Sequence, residues 1–470
     1  MTPELKPYPA YKDSGVEWIG QVPTHWAVAR LRHVLRNVVV MASARSADGL
    51  CLALENVESW SGRTIGGDSE TVLDSRVKQF RKNDILFGKL RPYLAKVVRP
   101  AQDGVCVGEF LVLRPLNSAV SSAYFEHLLR SKPVIDFVNC LSYGAKMPRV
   151  EWQSVGATAV PFPPLPEQTS IVRFLDYHQR RIRRYIHSRQ KLFGLLEEEK
   201  QVSGRQAVTG QIDVGTGKPY PAYKDSGVEW IGQVPTHWAV ARLRHVLRNV
   251  VVMASARSAD GLCLALENVE SWSGRTIGGD SETVLDSRVK QFRKNDILFG
   301  KLRPYLAKVV RPAQDGVCVG EFLVLRPLNS AVSSAYFEHL LRSKPVIDFV
   351  NCLSYGAKMP RVEWQSVGAT AVPFPPLPEQ TSIVRFLEDK SADTADAIAH
   401  AQREIDLLGE YRARLISDVV TGKLDVREAA ANLPEEVEEP EEPREGQLVG
   451  DESEVALAED DEVTLEEVET

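Results

Sequence analysis

One segment of the chain places cations beside an aromatic ring in a pattern suited to binding a polyanion. Between Asp84 and Val98, Lys89, Arg91 and Lys96 flank Tyr93. Arginine and lysine can contact guanine edges or phosphates, and tyrosine can pack on a sugar or a base. The residue types therefore predict a nucleic-acid contact on a strand and turn. The alternative is a solvated strand face with one structural arginine.

A second basic loop, Tyr143–Arg149, ends in two cations, Lys146 and Arg149. It is a further candidate for DNA contact, although charged surface loops are common. The arginine-rich stretch from Arg180 to Arg189 could also reach DNA. We interpret it as the solvated or partner-facing side of a helix.

Other residue types that often do chemistry lack the companions they need. His25, His33 and His127 have no ligand-spaced partners, and we interpret them as ordinary surface or core histidines. The six cysteines form no Cys-x-x-Cys pair, which predicts reduced core residues in a cytoplasmic protein and no metal site. A glycine-rich nucleotide loop, a P-loop and an acidic-acidic-lysine nuclease cluster are also missing from the sequence. These absences favour a binding protein without catalytic residues.

The elements that position these residues occur twice. Lys6–Leu175 recurs letter for letter as Lys218–Leu387, with a constant offset of 212. A repeat of this length is a whole domain, so any ligand of one copy has a second site. If the copies face each other across a two-fold axis, the natural target is a DNA inverted repeat. The spacers 176–214 and 388–426 share only 10 of 39 residues, so later copying or deliberate splicing of one domain accounts for the identity.

Each copy reads as a compact α+β domain of about 150 residues. Strand-like runs are Cys51–Val57, a pair within Asp84–Val98, Val105–Leu113 and Thr158–Phe162. Ser122–Leu141 predicts a helix that is interrupted near Pro133.

Long helices are predicted to follow each domain. Pro166 and Glu167 suit a helix start, because proline fits the first turn and an acid suits the dipole. Heptad-like stripes typical of packed helices then follow. The stripe residues are Ile171, Leu175, Ile182, Ile186, Phe193 and Leu196, then Ile398, Ile405, Leu408, Leu415 and Val419.

The connection between the helices predicts their direction. Ala207–Pro219 is too short to lead the chain back along a helix of about 50 Å, so we expect an antiparallel pair. The charges alone favour a parallel pair, because the arginines at 180–184 would then lie near Glu388 and Asp389.

The net charge of −6 combines two unlike regions. Residues 427–470 carry 18 acidic and 2 basic side chains, which leaves +10 for the rest. We expect a disordered tail from Glu435 to Glu469 that either solubilises the chain or competes with DNA for the basic surface. No apolar run is long enough to span a membrane, and no signal peptide is expected at the N-terminus.

Several separated motifs resemble the specificity (S) subunits of type I restriction-modification systems. They include Tyr-Lys-Asp-Ser-Gly-Val-Glu-Trp-Ile-Gly near the start of each copy and Asp-Ile-Leu-Phe-Gly-Lys-Leu-Arg-Pro-Tyr-Leu from Asp84. Phe-Leu-Val-Leu-Arg-Pro, Pro-Pro-Leu-Pro-Glu-Gln and Leu-Ile-Ser-Asp-Val-Val-Thr-Gly-Lys-Leu-Asp-Val follow in the same order as in the family. The likeness covers Tyr8 to Val426 and excludes the acidic tail.

The resemblance implies a non-catalytic chain with two target-recognition domains joined by an antiparallel, coiled-coil helical spacer. The expected ranges are 8–160 and 220–372 for the domains, 166–206 and 378–422 for the spacer helices, and 427–470 for the tail. Each domain would read half of a bipartite double-stranded DNA site. Carried over by motif, the DNA-facing residues are Lys89, Arg91, Tyr93, Lys146 and Arg149, with the copies Lys301, Arg303, Tyr305, Lys358 and Arg361.

The family also implies partners. Two methyltransferase (M) subunits would dock on the spacer helices and carry S-adenosylmethionine, and restriction (R) subunits would use ATP and Mg²⁺. No cofactor is expected in this chain. Most members carry two different recognition domains, so identical domains predict an interrupted palindrome. Two alternatives are a self-contained restriction or modification enzyme, for which no segment has room, and a helical scaffold whose domains bind protein.

Overall fold

The computed structural model describes residues 5–43, 50–66, 76–255, 262–278 and 288–434. The chain divides into two compact units. Unit 1 comprises the described residues within Met1–Arg130, Phe137–Phe174 and Val419–Thr470, and unit 2 comprises those within Ser131–Asp136 and Leu175–Asp418. No described helix has a stretch long and apolar enough to cross a membrane.

The first copy is built from twelve short described strands. Glycine, proline and turn residues separate them, which keeps each one short. They are β1 Tyr11–Asp13, β2 Gln21–Pro23, β3 Ala27–Arg30, β4 Leu35–Asn37, β5 Met41–Ser43, β6 Leu50–Leu52, β7 Arg76–Phe80, β8 Ile85–Gly88, β9 Val97–Val98, β10 Gly104–Cys106, β11 Phe110–Pro115 and β12 Ala159–Phe162.

These strands form two four-stranded sheets and two ribbons. The sheets have the orders β5-β7-β10-β6 and β4-β11-β8-β9, and the ribbons pair β1 with β2 and β12 with β3. The pairing of β6 with β10 is parallel. Side chains from both sheets, including Phe80, Leu86 and Phe110, form one buried apolar cluster. One part of the apolar core therefore lies where the two sheets meet.

Three α-helices complete the described part of the copy: α1 Ser122–Arg130, α2 Lys132–Cys140 and α3 Trp152–Ala157. The predicted interruption near Pro133 is confirmed, because one residue, Ser131, separates the end of α1 from the start of α2. Proline lacks a backbone N–H and fits only the first turn of a helix, so Pro133 marks a new helix start.

Two predicted strands were wrong in extent. Val105–Leu113 is two strands, β10 and β11, which belong to different sheets. Cys51–Val57 is a strand only as far as Leu52, after which Leu54–Asn56 forms a turn of 3-10 helix. The side chain of Asn56 accepts a hydrogen bond from the Ala53 backbone N–H at 2.7 Å, and this local bond favours the turn over an extended strand. The prediction of core cysteines holds for Cys106 and Cys318 and fails for the exposed Cys140 and Cys352.

The two long helices are α4 Leu165–Thr209 and, after the second copy, α8 Leu377–Val420. Within unit 2, Lys390 Nζ lies 2.5 Å from Glu199 Oε1, and Arg189 Nε lies 3.1 Å from Glu404 Oε2. From the first ion pair to the second, the residue number increases along α8, from 390 to 404, and decreases along α4, from 199 to 189. The two helices therefore run antiparallel, and the prediction is confirmed. The charge argument for a parallel pair was wrong, because exposed ion pairs contribute little beside the constraint of a short connection.

The second copy repeats the first at the same offset. Its strands are β13 Tyr223–Asp225, β14 Gln233–Pro235, β15 Ala239–Arg242, β16 Leu247–Asn249, β17 Met253–Ser255, β18 Leu262–Leu264, β19 Arg288–Phe292, β20 Ile297–Gly300, β21 Val309–Val310, β22 Gly316–Cys318, β23 Phe322–Pro327 and β24 Ala371–Phe374. Its helices are α5 Ser334–Arg342, α6 Lys344–Cys352 and α7 Trp364–Ala369.

A closing segment follows each long helix and packs on a domain of its own unit. In unit 1 Asp425 pairs with Lys6, and in unit 2 Asp213 pairs with Lys218. The chain then forms a short helix, α9 Arg427–Ala431. The predicted tail was placed at 427–470, so its first residues are helical, and its part from 435 onward lies outside the described residues.

Candidate nucleic-acid interface

The two basic segments singled out in the sequence lie side by side in the structure. Backbone hydrogen bonds join them: Arg91 N donates to Pro148 O at 2.7 Å, and Val150 N donates to Lys89 O at 3.0 Å. A β-bridge between Leu90 and Arg149 lies between these bonds. We call residues 89–93 and 143–150 the basic platform of the first copy. Residues 301–305 and 355–362 form the same platform in the second copy, with bonds of 2.7 and 3.0 Å.

The loop of the platform is a closed turn. Tyr143 and Arg149 exchange two backbone hydrogen bonds, both at 3.0 Å. Gly144 takes φ of +94°, a conformation that costs a residue with a Cβ free energy. A Cβ there would also lie 3.1 Å from Met147 O. A residue with a side chain would therefore be strained at this position, and the turn holds Lys146 and Met147 at its tip, exposed to solvent.

The other strand of the platform is held equally firmly. Arg91 has φ of +49° and begins the 3-10 turn Pro92–Leu94. The left-handed conformation costs roughly 1–2 kcal/mol for a residue with a side chain. The bond from Arg91 N to Pro148 O and the fixed ring of Pro92 hold it in place. As a result the side chains of Arg91 and Tyr93 are exposed.

The predicted cations differ in their surroundings. Lys89 Nζ lies 3.5 Å from Glu151 Oε1, and its side chain is 18% exposed. In the second copy, Arg361 lies 3.3 Å from Glu321. Lys96, which flanks Tyr93 in sequence, is turned inward and donates to Leu54 O at 2.9 Å. The platform therefore presents Arg91 and Lys146 most openly, while Lys89 is restrained by a carboxylate.

A buried lysine that was not predicted from the sequence, Lys78, binds the strand segment next to the platform. Lys78 Nζ donates to Gly108 O at 2.9 Å and to Phe110 O at 2.7 Å. Burial lowers the pKa of Lys78, and the charge of Lys89 lowers it further. The neighbouring Glu109 O accepts from Lys89 N at 2.7 Å. Lys78 lies in an ordinary alternating strand pattern, Arg-Val-Lys-Gln-Phe, so its inward direction left no signal in the sequence.

A second buried polar cluster fixes the beginning of α4 to its domain. Glu167 accepts hydrogen bonds from Tyr8 Oη and from Trp26 Nε1, the latter at 3.0 Å. His25 Nε2 lies 2.8 Å from the other oxygen of Glu167. Burial and the Glu167 carboxylate raise the pKa of Tyr8 well above its usual value. His25 was interpreted as an ordinary histidine, and its partner is this structural carboxylate.

The second copy repeats the cluster around Glu379. Tyr220 Oη and Trp238 Nε1 donate to it at 3.0 and 2.7 Å, and His237 Nε2 lies at 2.7 Å. Among the described residues, no group of three or more histidine, cysteine or acidic side chains could hold a metal ion. The platform itself presents cations, aromatic rings and hydrogen-bond donors on a backbone fixed by hydrogen bonds.

Comparison with known proteins finds similarity over most of the chain. No protein-family model matches. The chain is 22% identical over 304 residues to the type I restriction enzyme EcoDI specificity subunit of Escherichia coli. The aligned region covers 62% of this chain and 67% of that protein. The chain is also 23% identical over 432 residues to the putative type I restriction enzyme MjaX specificity subunit of Methanocaldococcus jannaschii, across 87% of this chain and 96% of that one.

Solved structures share the fold. One, from work on complex assembly and conformational transition of the type I R-M system, matches with a TM-score of 0.67 at 17% identity, over 86% of this chain and 99% of that chain. The HsdS subunit from Thermoanaerobacter tengcongensis matches with a TM-score of 0.51 at 18% identity, over 86% and 98%. The fold-class prediction, two repeated α+β domains with a long helix after each, is confirmed.

Proposed function

We infer that this chain belongs to the specificity subunits of type I restriction-modification systems, and from that premise we propose how it selects DNA. The observation that carries the proposal is the extent of the likeness to such subunits, which spans 87% of the chain in one case. The alternative, a helical scaffold whose domains bind protein, has no comparable support. The chain recognises a DNA sequence, and other subunits act on that DNA.

The basic platform is the proposed DNA-reading surface of each domain. Lys89, Arg91, Tyr93, Lys146 and Arg149, with Lys301, Arg303, Tyr305, Lys358 and Arg361, are the proposed contacts. Two lines of reasoning support them. Their residue types suit phosphate and base edges, and backbone hydrogen bonds bring two segments far apart in sequence onto one rigid surface.

The partners follow from the same family membership. We propose that the antiparallel helices α4 and α8 dock two M subunits, which bring S-adenosylmethionine and methylate adenine. R subunits bring ATP and Mg²⁺ and cut DNA. The complex works in the cytoplasm, where its DNA is. This chain contributes no reacting group, and its role is to place the other subunits on the correct sequence.

The identical copies determine the kind of site. Lys6–Leu175 and Lys218–Leu387 have the same side chains, so each platform prefers the same half-site. We propose an interrupted palindrome, in which the second half-site is the inverse of the first. A site with two unrelated halves requires domains with different contacts.

The test is to express the chain with its M subunits and to map methylated adenines across a genome by single-molecule sequencing. The expected result is a single interrupted palindrome. An otherwise identical sample that lacks this chain controls for methylation from other sources. An asymmetric bipartite site would refute the palindrome, and no new methylation from a fully assembled complex would refute the specificity role.

A further inference from the structure

The basic platform exposes large apolar side chains as well as cations. Tyr93, Tyr143 and Met147 are 43%, 55% and 52% exposed in the first copy. Their counterparts Tyr305, Tyr355 and Met359 are 44%, 56% and 54% exposed. Apolar side chains concentrated on one surface commonly mark a contact with a partner.

Met147 is presented on a fixed backbone. It lies in the turn closed by the two hydrogen bonds between Tyr143 and Arg149. Its neighbour Pro148 accepts the bond from Arg91 N at 2.7 Å, which ties the turn to the other segment of the platform. The thioether is therefore directed outward by a held main chain, while its own three rotatable bonds let it adapt to a surface.

The charges around Met147 indicate what kind of surface it meets. Lys146 precedes it, Arg149 follows two residues later, and Arg91 is bound to the same turn. These cations suit phosphates, which a methionine cannot bind. If the cations on either side bind phosphates, the Met147 side chain between them is placed to contact an apolar group on a base. In the major groove, the C5-methyl group of thymine is the apolar feature that base pairs present.

We propose that Met147 and Met359 are specificity-determining residues that contact a thymine methyl group in each half-site, while Lys146 and Lys358 hold the adjacent phosphates. The inference rests on the proposed function and deepens it by naming one base feature that each platform reads. The complex then prefers thymine over uracil at one position per half-site. Thymine and uracil differ only by this methyl group, so the preference isolates the contact.

The experiment uses the complex of this chain with its M subunits and duplexes that carry the mapped site. Each thymine is replaced in turn by deoxyuridine in both half-sites, and affinity is measured at fixed salt. We expect one position at which the replacement weakens binding by about 3- to 5-fold per half-site, as expected for the loss of one buried methyl group. In the double variant M147A/M359A, thymine and deoxyuridine duplexes should bind equally at that position.

Two matched variants separate this contact from general effects. Met41 and Met253 are each 49% exposed but lie outside the platforms, so M41A/M253A should keep the full preference for thymine. K146A/K358A should weaken binding to both duplexes by the same factor and reduce the salt dependence, because phosphate contacts release counterions.

The outcomes distinguish this inference from the function on which it rests. A mapped half-site without thymine would overturn it, and so would a methionine variant that still prefers thymine by the full factor. Both results would leave the specificity role intact. Failure of the assembled complex to bind or methylate any defined site would instead refute the proposed function.

Discussion

The two domains have the same residues but are closed by different segments of chain. In unit 1 the closing segment, 419–426, comes from the end of α8. In unit 2 it is 207–214, from the end of α4. Both use the main chain: Tyr11 Oη donates to Lys423 O at 3.1 Å, and Tyr223 Oη donates to Gln211 O at 3.0 Å. The side chains of Lys423 and Gln211 differ, so a closure through carbonyl oxygens tolerates divergence.

Side-chain contacts differ where the main chain does not constrain them. Arg427 lies 5.2 Å from the centre of the Tyr8 ring and donates to Asp425 at 2.6 Å. Burial favours a higher pKa for Asp425, but hydrogen bonds from Arg427 hold the pKa below its usual value. Gly215 stands at the equivalent position of unit 2, where its backbone N–H donates to Asp213 at 2.9 Å. Tyr8 is buried and Tyr220 only half-buried. The main-chain closure is common to both domains, whereas the contacts of Arg427 with Asp425 and Tyr8 occur in unit 1 alone among the described residues.

Alkaline pH tests the part that the units share. Burial raises the pKa of Cys106 and of Cys318 from 9.0 to about 12. The neutral thiols stabilise the fold fully below pH 9, and this stability is lost as the pH rises towards 12. The loss approaches about 4 kcal/mol for each cysteine. Urea unfolding between pH 8 and 11 should show a falling free energy of unfolding, and C106A and C318A should each reduce the slope equally. Unequal reductions would show that the cores differ.

The closing glycines test each unit separately. Gly422 has φ of +80°, and a Cβ there would lie 2.5 Å from Pro23 Cδ. Gly210 has φ of +73° and the same 2.5 Å approach to Pro235 Cδ. We expect G422V and G210V each to destabilise its own unit by about 2–4 kcal/mol, through left-handed strain and overpacking. Hydrogen exchange should report faster opening in that unit alone. The exposed Gly194, with no heavy atom within 4 Å of an added Cβ, gives the control G194A.

DNA binding tests whether equal domains act equally. K146A/R149A removes two cations from the first platform, and K358A/R361A removes them from the second. Each pair should lower affinity for a palindromic site by about 10- to 100-fold, and the two factors should be the same. Binding measured at several salt concentrations should give equal slopes for both. A variant pair with unequal effects would contradict the equivalence of the half-sites.

Arg427 provides the smallest test, because its contacts are partly exposed. R427A should lower the free energy of unfolding of unit 1 by about 1 kcal/mol, because it removes an ion pair and a cation–π contact. Hydrogen exchange should accelerate around Tyr8 and stay unchanged around Tyr220. G215A, at the matching position of unit 2, should leave unit 1 unaffected. Equal acceleration in both units would remove the distinction drawn from Arg427.

The sequence predicted those features that follow from repetition, periodicity and chain length. The identical copies, the long helices, the break at Pro133 and the antiparallel direction of α8 all have such a signal. The separation of β10 from β11 had none, because both strands are apolar and the turn between them is short. Nor could the sequence show that Lys78 points inward or that Glu167 collects Tyr8, His25 and Trp26. Those contacts depend on how segments far apart in the chain pack together, and no pattern in a single sequence predicts that packing.

The pairing of Lys6 with Asp425 affects the order in which the domains mature during translation. The ribosome delivers the closing segment of unit 2 just before the second domain, so that domain finds its segment already made. The first domain is synthesised first yet waits for 419–426, including the fully buried Val419 and Val420. At 5–20 residues per second, the interval is roughly 13–50 s. Through that interval we expect the first domain to lack the segment that packs on Pro23 and Trp26.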